Sequence, residues 1–253
     1  MPYGRTVPWY ACIAIVVVVW GVSQVRSPAL KAFIYSFPIP MTLVMVSTDA
    51  EVSASYLIGV VSLVLFFFVI AGLRQRLGWH SLAAVAGGVA FYLLVAFAVA
   101  ALPTPHFVPT LIFVVIAWLG VVAFTVRRGL PVRIPQEDPA QRTVGGELVK
   151  ISALTVATFL LAFFARTLGG FAVTFPYSGI LVSFGLGNDG PAFARSFAFS
   201  SISLVAFFTT HWLVQDALTT PLELLVSWLA FFASSGLVAL LRSRVALAQH
   251  TAG

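Results

Sequence analysis

Residues 30–44 read LKAFIYSFPIPMTLV, and residues 168–182 read LGGFAVTFPYSGILV. Leu30, Phe33, Phe37, Pro38, Leu43 and Val44 coincide with Leu168, Phe171, Phe175, Pro176, Leu181 and Val182 at one offset (175 − 37 = 138). Ser36 and Thr174 place a hydroxyl at a shared position, and an acid follows each copy after a short drift, Asp49 and Asp189. In the next apolar stretch Ser55, Gly59 and Ser62 match Ser196, Ser200 and Ser203. Both triplets have i, i+4, i+7 spacing, so each lines one helix face with small or hydroxyl side chains. Leucine matches leucine easily in an apolar chain. Proline in a fixed context is less degenerate, so the Phe-Pro pair carries the repeat.

Composition says where these copies lie. The chain has 253 residues, of which 60% are hydrophobic and only 9% charged. Its mean hydropathy is +1.03. A soluble domain carries about 25% charge, and this deficit excludes a soluble enzyme or a nucleic-acid-binding module. Cys12 is the only cysteine, and His80, His106, His211 and His250 are far apart, so no metal centre and no cofactor is expected. Arg5 alone precedes the apolar segment from Pro8 to Val25, whereas Arg26 and Lys31 follow it. A cleaved secretory signal has the opposite bias, so this segment reads as a first span.

A bilayer-crossing helix takes about 20 apolar residues. About nine stretches qualify, near 8–25, 29–48, 53–73, 79–101, 107–126, 147–166, 167–186, 191–213 and 219–241. The second and seventh are short and broken by proline. The polar run from Arg127 to Glu147, with prolines at 131, 135 and 139, reads as an extended linker. With nine spans, Arg5 and Arg166 fall on one side and the other 12 of the 14 Lys and Arg fall on the opposite side. The positive-inside rule then predicts the N-terminus outside and the C-terminus in the cytoplasm, as a multi-pass protein of a bacterial-type inner membrane.

The expected fold is therefore all-α, a polytopic transmembrane bundle of two four-span repeats joined by a linker helix. Residues 1–102 form repeat one, 103–146 the connector helix and cytoplasmic linker, and 147–253 repeat two. An odd connector between even-span units inserts the second copy upside down. Inverted-topology repeats recur in secondary transporters, whose discontinuous helices hold the substrate near the midplane. Proline removes a backbone donor and clashes with the preceding turn, so each break frees a carbonyl that needs a hydroxyl, a water or a ligand. Phe37, Pro38, Phe175, Pro176, Tyr177, Ser178 and Ser183 around the breaks, with Asp189 and Arg195 beyond, are the candidate substrate-binding residues. The alternative is that each proline is a packing kink.

The second half resembles the GlpM-like family of small, four-span inner-membrane proteins. The likeness rests on Phe175-Pro176 in a short span, Asp189-Gly190, and Ala194-Arg195 opening the next helix, over about residues 147–242. The first half is similar more weakly over 8–102; it keeps Phe37-Pro38 and Asp49 and lacks a counterpart to Arg195. The resemblance implies a tandem fusion of two such units. It implies an architecture and no particular chemistry.

The remaining charges have local readings. Thr48-x-x-Glu51 and Thr220-x-x-Glu223 read as capping boxes opening the third and last spans, with Pro221 at the first helical position. Asp189 or Gly190 is expected to cap the eighth span. Arg166 and Arg195 either snorkel to headgroups or face an anionic group. His211 and Asp216 either sit at the interface beside Trp212 or relay protons. No phosphate loop, dinucleotide fingerprint, HExxH or GxSxG motif occurs, so neither an enzyme nor an ATP-driven pump is expected. Two functions fit. One is a secondary transporter, exporter or flippase, monomeric or homodimeric, whose partners are the bilayer and an unidentified small-molecule or lipid substrate. The other is a non-transporting subunit that assembles or regulates an envelope biosynthesis system.

Overall fold

The computed structural model describes residues 37–48, 51–103, 105–127, 168–185 and 190–251, with isolated helical positions at 9, 13, 16, 17, 152, 155, 156 and 158. Apart from those positions the expected spans 8–25 and 147–166 lie outside the described residues, as do the polar linker, Asp49, Asp189 and Arg166. The elements are α1 (Ile39–Thr48), α2 (Ala54–Leu77), α3 (Ser81–Ala100), α4 (Phe107–Arg127), α5 (Gly170–Val173), α6 (Tyr177–Gly185), α7 (Gly190–Ser200), α8 (Ile202–Val214) and α9 (Thr220–Thr251). Among the described residues there are helices and no strands.

Five segments are long and apolar enough to cross a membrane: α2, α3, α4, the α7–α8 run Gly190–Val214, and Thr220–Leu241 of α9. They coincide with five of the expected spans. Leu94, Phe113, Ile116 and Leu240 point outward, each more than 60% exposed. Apolar side chains on the outside and closed helical hydrogen bonding within suit lipid as the surrounding solvent. This is the architecture of an integral membrane protein. The two proline-containing stretches appear as the short helices α1, α5 and α6, each beginning or ending at a Phe-Pro pair.

Helix α2 is the centre of the bundle. Its apolar window is 61% buried, against 11% for α4. It packs on α3, α4, α5, α6, α7 and α8. Gly78 ends it in the left-handed conformation (φ 66°) and donates its N–H to Leu73, with Arg74 and Arg76 in the last turn beside the negative end of the helix dipole. Its start corrects the sequence reading. Thr48 is still helical as the last residue of α1, and an N-cap must have non-helical backbone. Ser53, extended at φ −131°, occupies the cap position instead. Helix α9 departs by one residue. The Thr219 carbonyl accepts from Leu222 N (2.8 Å) and Glu223 N (3.0 Å). Thr219 is thus the cap, and Glu223 stands one position too late to close a capping box. Pro221 remains in the first turn, where its missing N–H costs nothing.

Aromatic contacts give the helix directions. Tyr56 packs on Phe208 (5.2 Å between ring centroids), and Phe67 packs on Phe197 (4.8 Å). As the residue number rises along α2 its partner's number falls, so α2 and α7–α8 run antiparallel. Phe107 stacks on Trp212 and Trp118 meets Phe199, so α4 also opposes α7–α8 and runs parallel to α2. Phe207 packs on Trp228, while Phe199 shares a cluster with Val238, so α9 opposes α8. These directions bring Arg74, Arg76, Arg127, Arg195, Arg242 and Arg244 to one end of the bundle. Glu51, Asp216 and Glu223 come to the other.

Candidate functional site

The second Phe-Pro break is built from hydroxyls. Residues 174–176 are not helical, so Phe171 and Ala172 lose the amide donors they would have had four residues on. Tyr92 OH donates to Phe171 O at 2.9 Å, and Tyr177 OH donates to Ala172 O at 2.8 Å. Thr174 closes the α5 turn with both its N–H and its Oγ1 on Gly170 O, each at 3.0 Å. Its Oγ1 also pairs with Tyr92 OH at 2.8 Å. These carbonyls are thus satisfied by the protein itself. A Tyr92→Phe variant strands the buried Phe171 carbonyl and should cost about 1–3 kcal/mol, read as a fall in thermal unfolding midpoint; an unchanged midpoint would remove Tyr92 from this role.

The first break resolves in the same way on its C-terminal side. Helix α1 starts directly after Pro38, as α6 starts directly after Pro176. Thr42 N donates to Pro38 O (2.9 Å) and Ile180 N donates to Pro176 O (2.9 Å). Thr42 Oγ1 adds a second bond to Pro38 O. Helix α1 packs on α5, so the two broken segments are neighbours. Their phenylalanines go to different partners. Phe37 stands edge-on to Trp228, Phe231 and Phe232 of α9, and Phe175 edge-on to Tyr92 of α3 and to Tyr177.

The small-residue stripe on α2 is the seat for this segment. Gly170 N donates to Ser55 Oγ (3.2 Å). A Cβ at Gly59 would fall on Thr174 Oγ1, and one at Gly170 would lie 2.7 Å from the backbone nitrogen of Tyr56. The matching stripe on α7–α8 is hydroxylic. Ser200 bonds back to Ser196 O, while Ser203 Oγ is buried and has no partner among the described residues.

Two clefts lie at opposite ends of the bundle. One lies at the acidic end, has a volume of about 150 Å³, and is lined by Met45, Glu51, His211, Gln215, Thr220 and Glu223 among others. Gln215 bridges to the backbone of Val52, accepting from its N–H at 2.9 Å. At the base His211 Nε2 stands 3.7 Å from Glu223 Oε2. The other cleft lies at the basic end, is only about 10 Å³, and is lined by Phe67, Ile70, Arg74, Ser183, Gly190 and Pro191 among others. There an Arg74 guanidinium nitrogen reaches Ser183 O at 3.4 Å, and Ser183 Oγ is buried without a partner among the described residues.

Of the residues singled out from sequence, Ser183 lines a cleft. Phe37, Pro38, Phe175, Pro176 and Tyr177 build the breaks, and Ser178 lies in the first turn of α6. Arg195 lies in the second turn of α7, half-buried, with its Nε buried and unbonded among the described residues. Asp189 falls outside them. Tyr92 and the His211–Glu223 pair gain weight. Two tyrosines in apolar spans were the available signal for the first, because a buried phenol needs an acceptor. No group of three or more metal-ligating side chains occurs among the described residues. No family model, curated protein or solved structure matches the chain.

Proposed function

We propose that this chain is a secondary transporter of a small solute or lipid, built from two four-span repeats of inverted topology in a bundle of about nine spans. The carrying observation is the pair of clefts. The repeat offset of 141 between α2 and α7–α8 takes Ile70 to His211 and Arg74 to Gln215, and the offset of 138 takes Met45 to Ser183. Each of these residues lines one cleft and its counterpart lines the other. Matching linings among the described residues at the two ends of the bundle, around about 150 Å³ at the open cleft and about 10 Å³ at the shut one, support this reading. Two equivalent vestibules in unequal states are what alternating access requires.

Ring contacts support the repeat independently. The pair Tyr56–Phe208 becomes Phe197–Phe67 under the offset (197 − 56 and 208 − 67 are both 141), and their interplanar angles are 60° and 59°. Phe66–Phe67 becomes Phe207–Phe208 in the same way, at 5.1 and 5.2 Å. Phe175 on Tyr92 corresponds to Phe37 on Phe232 at 5.4 and 5.5 Å, with Tyr92 and Phe232 separated by 140. Each broken helix thereby packs its phenylalanine on the fourth span of the other copy. Antiparallel α2 and α7–α8 fit inversion, and they require an even number of crossings between α4 and α7, in keeping with two. The basic end reads as cytoplasmic, with the open cleft outside. The GlpM-like kinship belongs to this same proposal.

Buried hydroxyls of Tyr56, Ser203 and Thr209, unpartnered among the described residues, lie on the antiparallel helices between the clefts and supply polarity for a path. The test is flux from liposomes holding purified protein, with a panel of labelled anionic, cationic and zwitterionic solutes and a fluorescent phospholipid. At least one probe should move. Ser183→Leu, which overfills the shut cleft, should slow it about tenfold or more by biasing one state, measured at equal amounts of folded protein because overpacking also lowers the unfolding midpoint. A folded protein that moves none of the probes overturns this reading and favours the assembly-subunit role.

A further inference from the structure

Serines within the helices of this protein mostly return their proton to the carbonyl one turn back. Ser62, Ser200, Ser227 and Ser234 each do so. Ser183 does not. It is 1% exposed, lines the small cleft at the basic end, and its Oγ has no partner among the described residues. A buried hydroxyl is stable when its hydrogen goes to an acceptor. Beside it stands Arg74, half-buried in the last turn of α2, with one guanidinium nitrogen donating to Ser183 O at 3.4 Å. A guanidinium has five N–H donors, so most of its capacity is left over.

The charge around the cleft has one sign. The carboxylates among the described residues, Glu51, Asp216 and Glu223, stand at the opposite end of the bundle, whereas Arg74 and Arg76 share this end. No acid among the described residues lines the cleft. Its third wall is the first turn of α7, Gly190 and Pro191. Pro191 fits there because the first amides of a helix have no helical acceptor. Those amides and the positive end of the helix dipole favour an anion. Gly190 sits close on α2, where a Cβ on it would lie 3.7 Å from the Ala71 Cβ. The remaining walls, Phe67, Ile70 and Ala71, are apolar. The volume is about 10 Å³, room for about one water-sized atom. A water must give hydrogen as well as take it, and Ser183 O already accepts from Arg74. An anionic atom needs donors alone, and three kinds converge here.

We infer that Arg74, Ser183 and the first turn of α7 form a binding site for a single anionic atom, either a halide ion or one oxygen of a lipid phosphate. The site is independent of the transport reading, which liposome flux tests. Purified, delipidated protein is unfolded by heat in chloride against gluconate at equal ionic strength, and with or without phosphatidylglycerol. Chloride or the lipid should raise the midpoint by about 2–4 °C. Chloride acting without lipid identifies a free halide; the lipid acting alone identifies a phosphate oxygen. Arg74→Gln should lose the rise, and Ser183→Ala should need about tenfold more ligand. Arg76→Gln removes an exposed arginine from the same turn and should keep it. No rise with either addition, or the same rise in Arg74→Gln as in Arg76→Gln, overturns the site. Asp189 precedes Gly190 and lies outside the described residues. A rise appearing only in Asp189→Asn would mean that the chain's own carboxylate fills the cleft, and it too overturns an external ligand. Wild-type crystals grown with bromide and with phosphatidylglycerol serve should the variants misfold. A bromide peak or a phosphate oxygen should lie within about 3.5 Å of Arg74 and Ser183 Oγ; water alone in both crystals sinks the inference.

Discussion

Gly170→Ala should leave a protein that is extracted in poor yield and unfolds at markedly lower temperature. The alanine methyl would lie 2.7 Å from the Tyr56 backbone nitrogen and closer still to Ser55 Oγ and the Tyr56 ring. A side chain can rotate away from such a clash. The backbone of α2 cannot, because it is held in the most buried of the five membrane-length helices. Overpacking a close-packed site costs about 1–3 kcal/mol, and a fixed backbone places Gly170→Ala at or above the top of that range. Moving α5 away would also stretch the Gly170 N to Ser55 Oγ bond. Gly59→Ala meets Thr174, whose Oγ1 is already committed to Gly170 O and Tyr92 OH, so it should be nearly as damaging. Gly72, Gly120 and Gly236 are the controls, since a Cβ at any of them meets nothing within 4 Å among the described residues. Alanine there should be neutral or stabilising by about 0.5–1 kcal/mol, because helical glycine wastes conformational entropy. Tryptophan fluorescence during thermal unfolding in detergent reads the series. A Gly170→Ala protein as stable as Gly120→Ala would mean that α5 does not rest on α2.

Much of this was legible, and for identifiable reasons. Five spans announced themselves because length and apolarity are additive properties that survive any tertiary context. Pro38 and Pro176 were legible as breaks within spans, because a residue without an amide hydrogen fits only where no helical bond is due. The Ser55–Gly59–Ser62 stripe was readable as a packing face. What lay beneath it was not, since nothing local in α2 points to Gly170, 115 residues away. The capping boxes failed for a register reason. Several hydroxyls stand near each helix start, and the winner is set by where the previous helix ends, which for α1 is Thr48 itself. Glu223 illustrates a second limit. Its sequence context fits a cap, but a one-residue shift of the helix start turns its carboxylate to His211 on the neighbouring helix. The freed carbonyls at the second break were anticipated, whereas their partner Tyr92, from another helix, was visible only as a phenol in an apolar span.

Phe67→Ala and Phe208→Ala should destabilise the protein by similar amounts, about 3–5 kcal/mol each. Each ring is buried, follows another phenylalanine along its helix, and packs across the α2 to α7–α8 crossing. The equality is the informative part. Phe67 belongs to α2 and meets Phe193 and Phe197, whereas Phe208 belongs to α8 and meets Tyr56. Ser62, Leu63, Val64 and Phe66 precede the first ring as Ser203, Leu204, Val205 and Phe207 precede the second, so the repeat sets both positions. The two crossings lie about 16 Å apart along α2, from the helical rise of 1.5 Å over the eleven residues between Tyr56 and Phe67. At that separation the losses should add to within about 0.5 kcal/mol in the double variant. Within each crossing they should not. Cycles of Phe67 with Phe197 and of Phe208 with Tyr56 should each give about 0.5–1.5 kcal/mol of coupling. Matched coupling in the two cycles would mean that the same contact was laid down twice and inverted. Strong coupling at one crossing and none at the other would leave the ring geometry a coincidence, and the two clefts would lose their common origin.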